Sequence, residues 1–132
     1  MERVGVVGAA LVRDLPSRGR CVLASRRTGP PELAGLWEFA GGKVEHGESD
    51  EQALRRELRE ELRVEAVVGE RLGGDLPIGD TAVLRVYLCA LVAGEPALVD
   101  HDEHRWLTPD ELHDVPWIPV DLPLVALLRD RL

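Results

Sequence analysis

The pattern of apolar and polar positions predicts alternating strands and helices. Residues 4–12 form a run of Val, Ala and Leu interrupted by Gly5 and Gly8, which predicts a buried strand. Pro16, Ser17 and Gly19 predict a turn over residues 13–19, and residues 21–25 predict a second short strand. Gly29, Pro30, Pro31 and Gly35 make residues 28–35 a loop, and Gly41-Gly42 interrupts the short aromatic stretch that follows. A helical period takes over at Ser49, where Gln52 three residues later completes a capping-box pattern. That helix is expected to run to about Arg63. Residues 64–71 and 81–92 predict strands joined by a glycine-rich loop, and residues 105–107 a further short strand. Thr108 is placed to cap a short helix through Leu112. Asp121 is placed to cap a last helix, with Leu124, Leu127 and Leu128 on one face. Interspersed strands and helices predict a layered α/β or α+β fold.

On a helical wheel Leu54, Leu58 and Leu62 form one stripe, and Glu57, Glu60 and Glu61 form the stripe beside it. Arg55, Arg59 and Arg63 fall on the far side. Three carboxylates at i, i+3 and i+4 repel one another. A divalent cation relieves that repulsion, and Mg²⁺ prefers carboxylate and phosphate oxygens. A solvated helix laced by Glu/Arg pairs is the alternative. Upstream, Gly41-Gly42-Lys43 lets backbone approach a ligand closely and adds a cation. A loop entering a helix N-terminus suits phosphate.

At 132 residues the chain is one domain, residues 1–132, with no internal repeat or linker. Its longest uncharged runs, residues 4–12 and 86–94, are less than half of what a membrane span requires. A net charge of −8 disfavours binding to a nucleic acid polymer but not to a small phosphate ligand carrying metal ions. Cys21 and Cys89 lie in apolar stretches without metal spacing and are expected to be buried free thiols. With Glu2 ahead of a short apolar run, the N-terminus makes a poor export signal, so a cytoplasmic location is expected.

Residues 42–64 read Gly42, five residues, Glu48, seven residues, then Arg56-Glu57-Leu58-Arg59-Glu60-Glu61-Leu62-Arg63-Val64. This spacing resembles the Nudix box, G-x5-E-x7-R-E-U-x-E-E-x-G-U, the signature of the Nudix hydrolases. The departure is Arg63, where the family has glycine; it predicts a cost of about 1 kcal/mol or a displaced helix end. The stretch from Gly35 through Trp37 to Lys43 resembles MutT-type nucleotide pyrophosphohydrolases, with Ala40 where those usually carry proline. The segments from Asp100 to Leu112 and from Pro119 to Leu124 are similar to the cytidine-nucleotide branch of that group.

The resemblance implies a Nudix fold of the α/β class, a mixed β-sheet sandwiched between helices (an α/β/α sandwich). It implies that Glu57, Glu60 and Glu61 coordinate Mg²⁺, or Mn²⁺ as a substitute, with the carbonyl of Gly41 as a further ligand. Arg56 would orient the glutamates and Glu48 would support the metal shell. Arg27 and Lys43 would contact phosphates, Arg27 being favoured over Arg26. Asp100 takes the place of a distal acid, with Glu103 as its rival. Glu57 is the expected general base.

Asp121 matches the base-contacting position, and Phe39 or Trp117 is available to stack on a base or to pack the core. Arg85 alternates with Leu84 and Val86, and is expected either at the ligand or in a surface ion pair. His46, His101, His104 and His113 show no metal spacing and are expected at the surface. The implied reaction converts a nucleoside triphosphate to monophosphate and pyrophosphate. A carboxylate accepting from the cytosine amine favours CTP, dCTP or 5-methyl-dCTP. The alternatives are 8-oxo-dGTP, a nucleotide sugar or ADP-ribose, and a non-catalytic nucleotide sensor. The expected partner is a small-molecule nucleotide; monomer and homodimer are both left open.

Overall fold

The computed structural model describes residues 3–132. Its strands are Val4–Leu15 (β1), Gly19–Arg27 (β2), Trp37–Glu38 (β3), Ala40–Lys43 (β4), Glu65–Arg71 (β5), Leu76–Ile78 (β6), Ala82–Ala93 (β7) and His101–Leu107 (β8). The helices are Asp50–Leu62 (α1) and Leu122–Leu128 (α2), with 3₁₀ turns at Pro109–Glu111 and Pro119–Asp121. Among the described residues no helix is long and apolar enough to cross a membrane.

The strands make one mixed sheet, ordered β3-β2-β1-β7-β5. β1 runs parallel to β7 from Val4↔Ala82 to Val12↔Ala90. Its side chains alternate between two cores. Val7, Ala9 and Leu11 pack with Leu54, Leu58 and Leu62 of α1. Ala10 and Val12 pack with Leu124, Val125 and Leu128 of α2. Burial on both faces explains why the buried stretch of β1, Val7 to Val12, carries no polar side chain. The sheet therefore lies between α1 and α2, as an α/β/α sandwich requires.

The opposite edge of β1 is divided. Residues 12–15 pair with β2, whereas residues 6–9 pair with β4. β2 diverges from β1 to pair with β3 and β8. This splaying opens a cleft between β1–β4 and the end of β2. The β1–β4 approach is so close that a Cβ on Gly41 would lie 1.9 Å from the Val7 carbonyl oxygen. Gly41-Gly42 is therefore a strand whose side chains have been removed to make room, not a break.

Both halves of the capping box form at the start of α1. The Gln52 N–H donates to Ser49 Oγ at 3.1 Å, and the Ser49 N–H donates to Gln52 Oε1 at 2.9 Å. The helix end is not displaced. Arg63 takes the left-handed conformation that glycine would occupy, with φ 61° and its N–H bonded to Arg59 O. Arg63→Gly should raise stability by about 1 kcal/mol; urea unfolding checks it, and a loss of stability would contradict the strain.

Other details differ from the sequence expectation. β6 forms inside the expected loop by pairing with β7. β8 begins at His101 rather than residue 105 because it pairs along β2 from Val22 to Arg27. On α2 the buried face is Leu124, Val125 and Leu128, leaving Leu127 exposed. Cys21 and Cys89 are buried and unpaired.

Candidate active site

The cleft left by the splayed β1 edge has a volume of about 510 Å³. Its walls include Gly41, Gly42 and Glu61 on the α1 side, Arg27, Glu38, Asp100 and His101 at the end of β2, and Phe39, Ile118 and Asp121 on the α2 side.

Arg56 organises the acidic stripe of α1. Its Nε and Nη2 donate to Glu48 at 2.8 and 2.9 Å, and Nη1 donates to Glu57 at 2.9 Å and Glu60 at 3.3 Å. Nη2 also donates to the Lys43 carbonyl at 3.0 Å, tying the helix to β4. The guanidinium holds the Glu48 carboxyl down at about 2, helped by the Glu45 N–H. Glu57 lies directly over Gly42, where a Cβ would come within 2.5 Å of its carboxyl carbon. Glu61 is mostly buried, and desolvation together with the carboxylates of Glu57, Glu38 and Asp100 pushes it up to about 9. Glu60 is largely exposed.

A domain model described as the NUDIX domain matches residues 3–128. The chain belongs to the Nudix family. A protein of Mycobacterium tuberculosis named "Putative 8-oxo-dGTP diphosphatase 2" is 47% identical over 130 residues, covering 96% of this chain and 89% of that protein. The CTP pyrophosphohydrolase of Escherichia coli K12 is 39% identical over 127 residues, covering 95% and 90%. The solution structure of the E. coli ORF135 protein superposes with a TM-score of 0.80 at 36% identity, covering 98% of this chain and 91% of that one. The protein is a Nudix hydrolase, and its sandwich architecture is that of its relatives.

Nudix hydrolases generally use a divalent metal. The donor chemistry here fits one: carboxylates on one rigid helix, an adjacent strand carbonyl, and a side-chain-free position at Gly42. Among the described residues no three acidic, His or Cys side chains converge as they stand. Arg56 occupies Glu48, Glu57 and Glu60 instead, so the fit lies in the donor set and not in a preformed cage.

Arg27 lines the cleft, with Nη1 2.6 Å from Glu38 Oε1, whereas Arg26 is turned away to Asp102 and Glu103. Asp100 likewise lines the cleft and its rival Glu103 does not. Lys43 is exposed and lies outside the cleft lining. Phe39 lines the cleft and packs against Trp117 at 4.9 Å, and the Trp117 indole donates to Leu112 O.

Asp121 does not cap α2 with its side chain. Its Oδ2 accepts from the Phe39 N–H at 3.1 Å at the buried cleft wall. Burial pushes this carboxyl up to about 7, against the Phe39 hydrogen bond.

Of the two placements expected for Arg85 the structure takes the ion pair, and the placement at the ligand is corrected: Arg85 does not line the cleft. Leu84 and Val86 do, so strand alternation sends Arg85 to the α1 face. There it donates to Asp50 at 2.7 and 2.8 Å, and the Tyr87 hydroxyl donates to the same carboxylate at 2.6 Å. Arg85→Met should therefore cost about 1–3 kcal/mol of stability with KM within about twofold of wild type. Thermal unfolding and initial rates check this; a large KM increase on an unchanged fold would return Arg85 to the ligand.

The surface expectation for the histidines is also corrected: His101 is buried, and His104 is partly buried with its two ring nitrogens at hydrogen-bond distance from Ser25 Oγ and Ala97 O. Sequence reasoning also missed Glu38. Its one signal was the Trp37-Glu38-Phe39 stretch, where an acidic residue sits between two apolar ones ahead of Gly41-Gly42.

Proposed function

We propose that the protein hydrolyses nucleoside triphosphates to monophosphate and pyrophosphate with Mg²⁺, with CTP, dCTP or 5-methyl-dCTP as the preferred substrates in the cytoplasmic nucleotide pool. The observation that carries this reading is the single cleft lined by both Glu61 and Asp121. One end offers oxygen ligands, and the other an aromatic wall with one buried carboxylate. The carboxylate accepts from the exocyclic amine of cytosine, and Phe39 supplies the apolar face beside it. Similarity to the E. coli CTP pyrophosphohydrolase supports it.

When bound by Glu57, Glu60, Glu61 and the Gly41 carbonyl, Mg²⁺ supplies charge neutralisation for the triphosphate and acidifies water. Arg27 binds phosphate oxygens from the β2 side, and Lys43, exposed on β4 outside the cleft lining, is left to meet a phosphate that extends beyond it. Glu57 accepts the proton of the attacking water. The water oxygen bonds to the β-phosphorus, and the bond from that phosphorus to the α–β bridging oxygen breaks. The monophosphate leaves with the bridging oxygen. Arg56 and Glu48 hold Glu57 in place, and Asp100, on the cleft wall, would join the metal shell or the proton chemistry.

Asp121 also favours a second reading. Pushed up to about 7, it is available near neutrality as a protonated donor to the carbonyl oxygen of an oxidised guanine. Similarity to the M. tuberculosis relative supports 8-oxo-dGTP in that case. Pyrophosphate release measured with Mg²⁺ across CTP, dCTP, 5-methyl-dCTP, 8-oxo-dGTP, the common triphosphates and ADP-ribose decides between them. The cytidine reading expects the highest kcat/KM among the cytosine substrates, and preference for 8-oxo-dGTP installs the second reading. Cleavage of ADP-ribose alone, or of nothing, overturns the substrate class.

A further inference from the structure

His101 opens β8 with its side chain only 3% exposed, and both ring nitrogens face carboxylates. Nε2 lies 2.9 Å from Glu38 Oε2. Nδ1 lies 3.9 Å from Glu61 Oε2 and has no hydrogen-bond partner among the described residues. Buried polar atoms are nearly always paired, so an orphaned nitrogen aimed at a carboxylate calls for an explanation. A movement of about 1 Å would bring it into hydrogen-bond range. The other Glu38 oxygen accepts from Arg27 at 2.6 Å, and Arg27 Nε is fixed on the Gly29 carbonyl at 3.0 Å. The backbone just before His101 is held as well, by Thr28 Oγ1 donating to Asp100 O at 3.1 Å. A line of polar groups thus runs from β2 through β3 to β8 and stops 3.9 Å short of Glu61 on α1.

We propose that His101 is a positioning residue that couples the Arg27–Glu38 pair on the phosphate side to Glu61 on the metal side. The imidazole stands between the two carboxylates, 2.9 Å from Glu38 and 3.9 Å from Glu61, and closing the second distance ties the two together. It acts on the reaction through Glu61 and Arg27. Groups in this outer position set metal affinity by orienting the ligand they touch, and losing one typically costs about tenfold or more. The inference rests on the reading of Glu61 as a metal ligand.

The test is Mn²⁺ affinity of the nucleotide-free protein, measured by electron paramagnetic resonance, in a double-mutant cycle. Glu38→Gln should weaken Mn²⁺ about tenfold in the wild-type background. In a His101→Leu background the same change should cost about twofold, the share carried by the lost charge alone. Equal factors in both backgrounds overturn the proposal. His101→Gln and His101→Asn keep the cycle informative should leucine prevent folding. Glutamine retains a donor toward Glu38 and loses the reach to Glu61, and asparagine does the reverse. Both should stay folded by circular dichroism and both should lose about tenfold in Mn²⁺ affinity; wild-type affinity in either overturns the coupling. If wild-type protein binds no Mn²⁺, or Glu61→Gln leaves the affinity unchanged, the metal reading fails and takes the proposal with it. That outcome is distinct from an additive cycle on a protein whose Glu61 does bind.

Discussion

Glu60→Gln should lower kcat by about three orders of magnitude and leave the melting temperature nearly unchanged. The two halves of that expectation come from different parts of the structure. Glu60 is largely exposed on α1, and its one ion pair among the described residues, to Arg56 at 3.3 Å, is an i, i+4 surface contact worth about a few tenths of a kcal/mol. Arg56 keeps Glu48 and Glu57 when Glu60 is neutralised, so the fold loses little. An exposed glutamate with so small a structural role has no reason to matter for turnover unless it binds something the protein recruits. Losing one carboxylate ligand removes several kcal/mol of transition-state charge stabilisation, and each 1.4 kcal/mol is tenfold in rate. Steady-state kinetics at saturating Mg²⁺ and thermal unfolding of the same preparation provide the check. Near-normal turnover would sink the metal role of Glu60; lost turnover with a collapsed fold would make the helix, not the ligand, the cause.

The acidic helix was legible because its information is local. Ser49 and Gln52 cap one another, the leucine stripe faces the sheet, and Arg56 reaches its partners within a few turns. The sandwich was legible for a similar reason, since strand and helix periods both survive in the sequence. What was not legible depends on partners far along the chain. Glu38 and His101 are 63 positions apart, and nothing in either neighbourhood announces the other. Arg85 met the same limit from the other side: alternation states that it faces one way and Leu84 the other, but not which face carries the cleft. Asp50, 35 residues earlier, decides that. Asp121 looked like a helix cap because acidic residues before helices usually are. Its side chain instead bonds to Phe39, 82 residues away, and that long-range contact is what brings it into the cleft.

Asp121→Asn should separate the stability of the site from its chemistry, raising the one and lowering the other above neutrality. A carboxyl raised from 3.8 to about 7 prefers to be protonated in the folded protein. The unfolded chain therefore releases its proton first as pH rises, and wild-type stability falls between about pH 4 and pH 7 and stays level above that. Asparagine carries no such cost. The variant should match or exceed wild type at pH 8, by up to a few kcal/mol, and lose that advantage below pH 4. Turnover should run the other way. Above pH 7 the wild-type carboxylate offers a charge-assisted acceptor to the cytosine amine, and the amide offers only a neutral one, a difference of about 1 kcal/mol or up to tenfold in kcat/KM. With 8-oxo-dGTP the wild-type rate should fall as pH rises through 7, because the donor is lost, and the asparagine variant should hold level. Urea unfolding and kcat/KM profiles from pH 5 to 9 on both substrates test this directly. Parallel stability curves for the two proteins would remove the raised carboxyl. Parallel rate profiles on both substrates would remove Asp121 from base recognition, leaving it a buried contact that holds Phe39 in the cleft wall.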